Sequence, residues 1–288
     1  MKLIDGVSIA KVIQERIKSA IVKLQNRPPG LAFVRVGDNP ASHSYIRMKK
    51  KRCREVGILS FDIELPSHVS ETQVILEIKR LNLDPAVDGI LVQLPLPEHI
   101  NPFLIMQTID PEKDVDGFNP FNMGKLLLGE RDGFIPCTPH GIHVLLTQSQ
   151  IPLLGKHVVI VGRSNIVGKP LAALLMQKAP HCNATVTLVH SFSEKLEEIC
   201  RQADILIAAI GKPAFIKKNM IKPQAAVIDV GINPIINNQG ERQIVGDVAF
   251  GEVAPYCSYI TPVPGGVGPM TISMLLTNTL LSYQRKIK

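Results

Sequence analysis

A tyrosine and a lysine stand four residues apart in the stretch SYIRMKKKRCREVG, residues 44–57. On a helix, positions i and i+4 project from one face, so Tyr45 and Lys49 lie one above the other, with Arg52, Cys53 and Val56 continuing that side. An aromatic ring beside an amine on a rigid helix is a small catalytic surface. The ring is a platform, and a crowded or desolvated lysine has its pKa drawn down toward the range where it exchanges protons. The same residues also read as a solvated basic helix face, or as a nucleic-acid patch. Against the last, the basic residues surround the helix and a single aromatic accompanies them. Residues 1–139 also balance 18 basic against 17 acidic side chains.

Two more stretches carry polar groups at places where ligands bind. GILVQLPLP puts Gln93 at the end of an apolar run. Buried amides need partners, and parallel sheets bind ligands outside the carboxyl ends of their strands. PEKDVDG sets Asp114, Asp116 and Gly117 in an acidic turn, which is also what a plain helix-capping loop looks like. Farther on, KHVVIVGRSNIVGKP reads as strand, glycine turn and helix, the layout that holds a dinucleotide phosphate. Its G-R-S-N-I-V-G departs from the usual G-x-G-x-x-G. The next strand ends in His190-Ser191, without the acidic residue that holds a ribose hydroxyl. Arg163 and Ser191 suit a 2′-phosphate instead, which favours NADP on charge grounds. TPVPGGVGPMT, residues 261–271, is a rigid, side-chain-poor loop at a helix start.

The elements that must position these groups follow from periodicity. Helical spacing covers 7–26, 72–83, 141–148, 170–177 and 270–285. Apolar runs at 31–36, 59–65, 89–94, 156–161, 184–189, 204–209 and 225–230 read as strands. Strands alternating with helices over short links imply parallel sheets with right-handed crossovers. With 45% apolar residues but no Trp and 5% aromatics, the core is aliphatic, as in an α/β protein. The domain boundary falls in FIPCTPHG. The excess of positive charge lies beyond it, where 14 basic residues face 8 acidic ones, a half suited to an anionic ligand. Five scattered cysteines without a C-x-x-C pair indicate neither zinc nor a disulfide framework. No signal peptide or membrane span is expected, and a reducing cytoplasm fits best.

Taken in order, VGDNPAS-x-x-Y-x-x-x-K, GILVQLPLP, PEKDVDG, IPCTP-x-G, VGRSNIVGKP, VIDVGIN, VGDV and TPVPGGVGPMT resemble the bifunctional methylenetetrahydrofolate dehydrogenase/methenyltetrahydrofolate cyclohydrolase family. The resemblance covers nearly the whole chain. It implies an N-terminal three-layer α/β folate domain, 1–139, completed by a C-terminal helix at 270–288. A Rossmann-like NADP domain at 140–269 would follow, with an active-site cleft between the two. It implies Lys49 as the catalytic lysine, hydrogen-bonded to Gln93, with Tyr45 along the folate's aminobenzoyl part and Asp116 on the pterin. Ser42, Pro264 and Gly265 would complete the substrate site. Gly162, Arg163, Ser164, Thr138, Ser191 and Ile232 would line the NADP site, with no metal. The partners implied are tetrahydrofolate derivatives, polyglutamylated ones included, and a second copy of the chain in a homodimer, with neither nucleic acid nor membrane. A monofunctional dehydrogenase, or one using NAD, is the alternative. One stretch departs from the family: QKAPHCN, 177–183, is longer than the resemblance implies.

Overall fold

The computed structural model describes residues 1–236 and 240–287, without the side chains of Pro40, Ala41, Ser42 and Ser44. Two compact units divide it. One takes in Lys11–Cys137 and the chain from Ile272 on; the other takes in Met1–Ala10 and Thr138–Thr271.

The chain starts with β1 (Lys2–Leu3), α1 (Gly6–Val22), β2 (Gly30–Val36), α2 (Pro40–Val56), β3 (Leu59–Leu65), α3 (Glu71–Leu83) and β4 (Gly89–Val92). In the first unit, β2 lies between β3 and β4 in a parallel sheet, with Gly30 opposite Leu59 and Leu31 opposite Gly89. All of GLAFVRV is buried, as an apolar run without alternation demands of a central strand. The edge strand β3 alternates instead. Ala32, Val34, Ile78, Ile90 and Ile105 lie in the core beneath. A capping box, Ser70 with Gln73, starts α3.

Two helices unforeseen in the sequence follow, α4 (Pro102–Thr108) and α5 (Pro120–Leu128). Each begins at an Asn-Pro pair. The side chains of Asn101 and Asn119 accept from the amides of Phe103 and Phe121, while the proline fills the first helical turn. Their shortness hides the 3.6-residue period.

Next come α6 (Cys137–Gln148), β5 (His157–Val161), α7 (Gly168–Leu175), β6 (Thr185–Val189), α8 (Leu196–Cys200), β7 (Ile205–Ala208) and β8 (Ala226–Asp229). The antiparallel pair β9 (Asn233–Ile236) and β10 (Arg242–Val245), then α9 (Phe250–Val253), β11 (Tyr259–Ile260) and α10 (Val267–Lys286) finish the chain. The second unit is built on a parallel sheet of order β1-β11-β8-β7-β5-β6. Val159, Leu206, Val227 and Ile260 lie in its core.

Several boundaries differ from the sequence reading, for local reasons. Lys2 and Leu3 pair with Tyr259 and Ile260, so the first ten residues group with 138–271 rather than with 11–137. A two-residue strand has no periodicity to read. Helix α6 starts at Cys137 instead of 141, because Pro139 in a first turn lacks only an N–H that has no intrahelical partner. Helix α7 begins at Gly168 and α10 at Val267, each a few residues early.

Candidate active site

Helix α2 carries Tyr45 and Lys49 inward. Lys49 is 5% exposed, and its Nζ lies 4.4 Å from the Tyr45 ring centroid. Cys53 and Val56 continue the buried side, as the spacing requires. Arg52 does not: it is exposed and pairs with Glu55 at 2.6 Å, its long stem carrying the charge to water. Lys50 pairs with Asp62 and Lys51 reaches Glu55, so the basic run is partly neutralised within its own unit.

At the end of β4, Gln93 Oε1 accepts from Lys49 Nζ at 3.2 Å. The Gln93 amide nitrogen donates to the Leu94 carbonyl at 2.7 Å, and its backbone N–H donates to Val34 at 2.9 Å. Burial draws the Lys49 pKa below the ordinary lysine range, opposed by the negative charge of Asp116. Burial also raises the Asp116 carboxyl, opposed by Lys49 and by a hydrogen bond with the Cys137 thiol. Lysine and carboxylate thus sit within each other's field.

The loop that carries Asp116 is built by a neighbour. Asp114 is fully buried and accepts from the amides of Gly117, Phe118 and Asn119 and from the Asn122 side chain. Burial pushes its carboxyl up to about 7. At Gly117, φ is 80° and a Cβ would meet Pro136 N at 2.6 Å, so the turn after Asp116 needs glycine. Arg35, buried on β2, ties the entrance of α2: its guanidinium reaches Gly37 O, Asp38 at 3.0 Å, His43 at 2.7 Å and Glu64 at 3.0 Å. Ser42 falls in the first turn of this helix, and its side chain lies outside the described residues.

In the second unit, the strand order reverses between β5 and β7, so their carboxyl ends form the switch point where such sheets bind nucleotides. Gly162 follows β5 with φ 127°, and a Cβ there would meet Ala209 O at 2.1 Å. A Cβ on Gly168 would meet Gly162 O at 2.1 Å, so α7 starts pressed against the turn. Ser164 Oγ caps that helix, accepting from Val167 N at 3.1 Å and Gly168 N at 3.4 Å. Arg163 and Ser191 are exposed, and the Arg163 guanidinium stands 5.8 Å from the Phe192 ring centroid. Thr138 Oγ1 lies 3.0 Å from Thr271 Oγ1. Ile232 is 55% exposed, beyond the end of β8. Pro264 and Gly265 lie in the turn before α10. A positive-φ glycine turn, an uncovered arginine and serine, and a helix start at the switch point fit a dinucleotide bearing a 2′-phosphate.

Two buried aspartates hold the neighbouring loops, and sequence reasoning gave neither a role. Asp247 accepts from Ile210, Gly211 and Lys212 N–H groups and from the Asn233 amide. Asp229 accepts from Gly231, Asp247 and Val248 N–H groups, and burial lifts its carboxyl to about 6. The only signal available was their recurrence in the VIDVG and VGDV blocks. The long segment 177–183 packs back on α6, where His143 Nε2 lies 2.7 Å from His181 O and 3.7 Å from Cys182 Sγ.

The geometry has counterparts in known proteins. The tetrahydrofolate dehydrogenase/cyclohydrolase catalytic-domain model matches residues 4–116, and the NAD(P)-binding-domain model of the same family matches 136–287. The bifunctional protein FolD of Protochlamydia amoebophila is 55% identical over 285 residues, covering 98% of each chain. Among solved structures, the bifunctional FolD methylenetetrahydrofolate dehydrogenase/cyclohydrolase of Campylobacter jejuni shares 45% identity over 99% of both chains, with a TM-score of 0.94. The Trypanosoma brucei dehydrogenase-cyclohydrolase, complexed with NADP cofactor and inhibitor, shares 40% identity over 99% of this chain and 98% of its own, with a TM-score of 0.93.

Proposed function

The chain belongs to the tetrahydrofolate dehydrogenase/cyclohydrolase family, and on that premise we propose how its own side chains divide the family's two reactions. The protein is a bifunctional one-carbon folate enzyme. It oxidises 5,10-methylenetetrahydrofolate to the 5,10-methenyl cation with NADP, then hydrolyses that cation to 10-formyltetrahydrofolate.

Bound at the second unit's glycine turn, NADP would supply the hydride acceptor for the methylene carbon. That step needs no proton transfer from the protein, so the residues serve by placement. In this reading Asp116 accepts hydrogen bonds from the pterin's donor nitrogens, and the Tyr45 ring supports the aminobenzoyl part. Ser42, Pro264 and Gly265 are carried over as substrate contacts from the family blocks in which they stand. On the cofactor side, Gly162 admits close backbone approach, Arg163 and Ser191 take the 2′-phosphate, and Ser164, Thr138 and Ile232 line the rest.

Hydrolysis is the step that asks for a base. Water attacks the cationic methenyl carbon and gives up a proton. The resulting carbinol then loses its hydroxyl proton as the bond to N5 breaks and N5 gains a proton, so the carbon is left as the formyl group on N10 and one proton is released overall. Lys49, its pKa drawn down by burial and its nitrogen oriented by Gln93, takes the water's proton in the amine form. The observation that carries the assignment is the buried Lys49–Gln93 bond at 3.2 Å beside the Tyr45 ring.

Purified protein mixed with methylenetetrahydrofolate and either NADP or NAD, followed by reduced-nicotinamide and methenyl absorbance, tests the whole reading. NADPH should form and the methenyl signal should rise, then decay to 10-formyl product. Methenyl that decays only at its uncatalysed rate would leave a dehydrogenase alone, and faster turnover with NAD would remove the 2′-phosphate assignment.

We also read the chain as a cytoplasmic homodimer that accepts polyglutamylated folates and engages neither nucleic acid nor membrane. The partly paired basic helix speaks against nucleic-acid binding, and among the described residues no helix is long and apolar enough to cross a membrane. Light scattering on the purified protein tests the dimer.

A further inference from the structure

Asn278, on α10, is 3% exposed. Its Nδ2 donates to Val115 O at 2.9 Å and to Ile135 O at 3.1 Å, and lies 3.8 Å from Cys137 Sγ. These groups belong to the two backbone segments that bracket Asp116. Val115 immediately precedes it, and Cys137 N donates to the Asp116 carbonyl at 3.3 Å. The Cys137 thiol lies 3.3 Å from the same Val115 oxygen and within hydrogen-bonding reach of the Asp116 carboxylate. An amide nitrogen carries two N–H donors, and here both are spent on main-chain carbonyls. Among the described residues no strand pairing joins the two segments, so the Cys137 N–H, the Cys137 thiol and the Asn278 amide hold them together, and only Asn278 reaches them from a different element.

The same helix face repeats the device. The Ser282 hydroxyl lies 2.6 Å from Asp88 O and 2.8 Å from Glu112 O, and Lys286 Nζ donates to Val87 O at 2.9 Å. Residues 278, 282 and 286 form one stripe at four-residue spacing. Asn278 stands at the end of that stripe, bonded to the segment that leads into Asp116.

We propose that Asn278 is a positioning residue for substrate: by pinning Val115 and Ile135 it fixes where the Asp116 carboxylate meets the folate ring. This rests on the reading of Asp116 as the pterin anchor. Asn278 touches no reacting atom, so its loss should appear in folate KM and not in NADP KM.

The test compares three variants of the full-length protein in both reactions. Asn278→Leu keeps the branched side-chain shape, with bulkier methyl groups, and deletes both donors. Thr279→Val removes an adjacent buried hydroxyl whose bond, to Leu275 O at 2.8 Å, stays within the helix, and so reports ordinary loss of stability. Asp116→Asn reports on the anchor itself. Asn278→Leu should raise KM for both folate substrates about tenfold, the scale of one weakened hydrogen bond to a charged group, with NADP KM unchanged. Thr279→Val should leave both KM values in place. If Asp116→Asn raises folate KM and Asn278→Leu does not, the positioning role falls and the anchor stands. If Asp116→Asn leaves folate KM unchanged, the anchor reading falls and takes this inference with it. Equal rises for folate and NADP in Asn278→Leu mean general loosening and also overturn it. Should Asn278→Leu fail to fold, Asn278→Ser, which keeps one donor, carries the same comparison.

Discussion

Gln93 turns its side-chain oxygen to Lys49 Nζ at 3.2 Å while its own amide nitrogen is held by the Leu94 carbonyl at 2.7 Å. The second bond sets the first, because an amide whose nitrogen is anchored must present its oxygen on the other side. Lys49 is therefore aimed as well as buried. Its neighbours split between burial, which favours the neutral amine, and the Asp116 charge, which favours the ammonium.

Replacing Lys49 with Met keeps the stem and removes the nitrogen. Cyclohydrolase activity should fall by about 10²-fold or more, the usual scale for losing general acid–base help. Dehydrogenase activity should fall less, and methenyltetrahydrofolate should accumulate when substrate and NADP are supplied. In the parent enzyme, hydrolysis should rise as pH rises through the lowered lysine pKa, because the base is the deprotonated form. Hydrolysis of methenyltetrahydrofolate at the parental rate by a well-folded Lys49→Met protein would remove this residue from the mechanism.

Asp116→Ala should impair both reactions together, through folate KM, since each needs the pterin held. Loss of one activity with normal folate affinity would make Asp116 a catalytic group or a turn residue.

Arg163→Ala should weaken NADP binding by roughly 1.5–3 kcal/mol, the scale of a hydrogen bond to a charged group, and NAD binding much less. Direct titration of both nucleotides checks this, and equal losses would refute the 2′-phosphate assignment.

Gly162→Ala sets a methyl group at φ 127° and 2.1 Å from Ala209 O. Strain on the order of 1–3 kcal/mol is expected from the dihedral alone, with the clash added. A lower melting temperature and weakened NADP binding should follow. Parental values of both would show that the turn relaxes without cost.

His140 gives a pH test of the second unit. Among the described residues its buried Nδ1 has no hydrogen-bond partner, and burial pushes its pKa from 6.5 down to about 4, with His143 adding to the shift. Between those values the unfolded chain binds a proton that the folded chain refuses. Stability present above pH 6.5 is therefore lost as pH falls toward 4, by up to about 1.4 kcal/mol per unit from this group. The urea midpoint should drop less between about pH 7 and pH 5 in His140→Leu than in the parent. Identical drops in the two proteins would clear His140.

What the sequence by itself determined is local. Spacing of four put Tyr45 and Lys49 on one helix face, a long apolar run made β2 a central strand, and a glycine turn after a strand announced the nucleotide-binding layout. Each is set by backbone period and side-chain volume within a few residues, so neighbours along the chain suffice to read it. Tertiary structure alone decided the contacts between distant residues. Lys2 and Leu3 pair with Tyr259 and Ile260, and Asn278 reaches Val115 and Ile135. Asp114 looked like a plain turn residue until four donors converged on it. Asp229 and Asp247 had no role until the ends of β7 and β8 came together. The reason is the same in each case. A buried carbonyl or carboxylate must find a partner, but its chemistry does not say which distant segment will supply one.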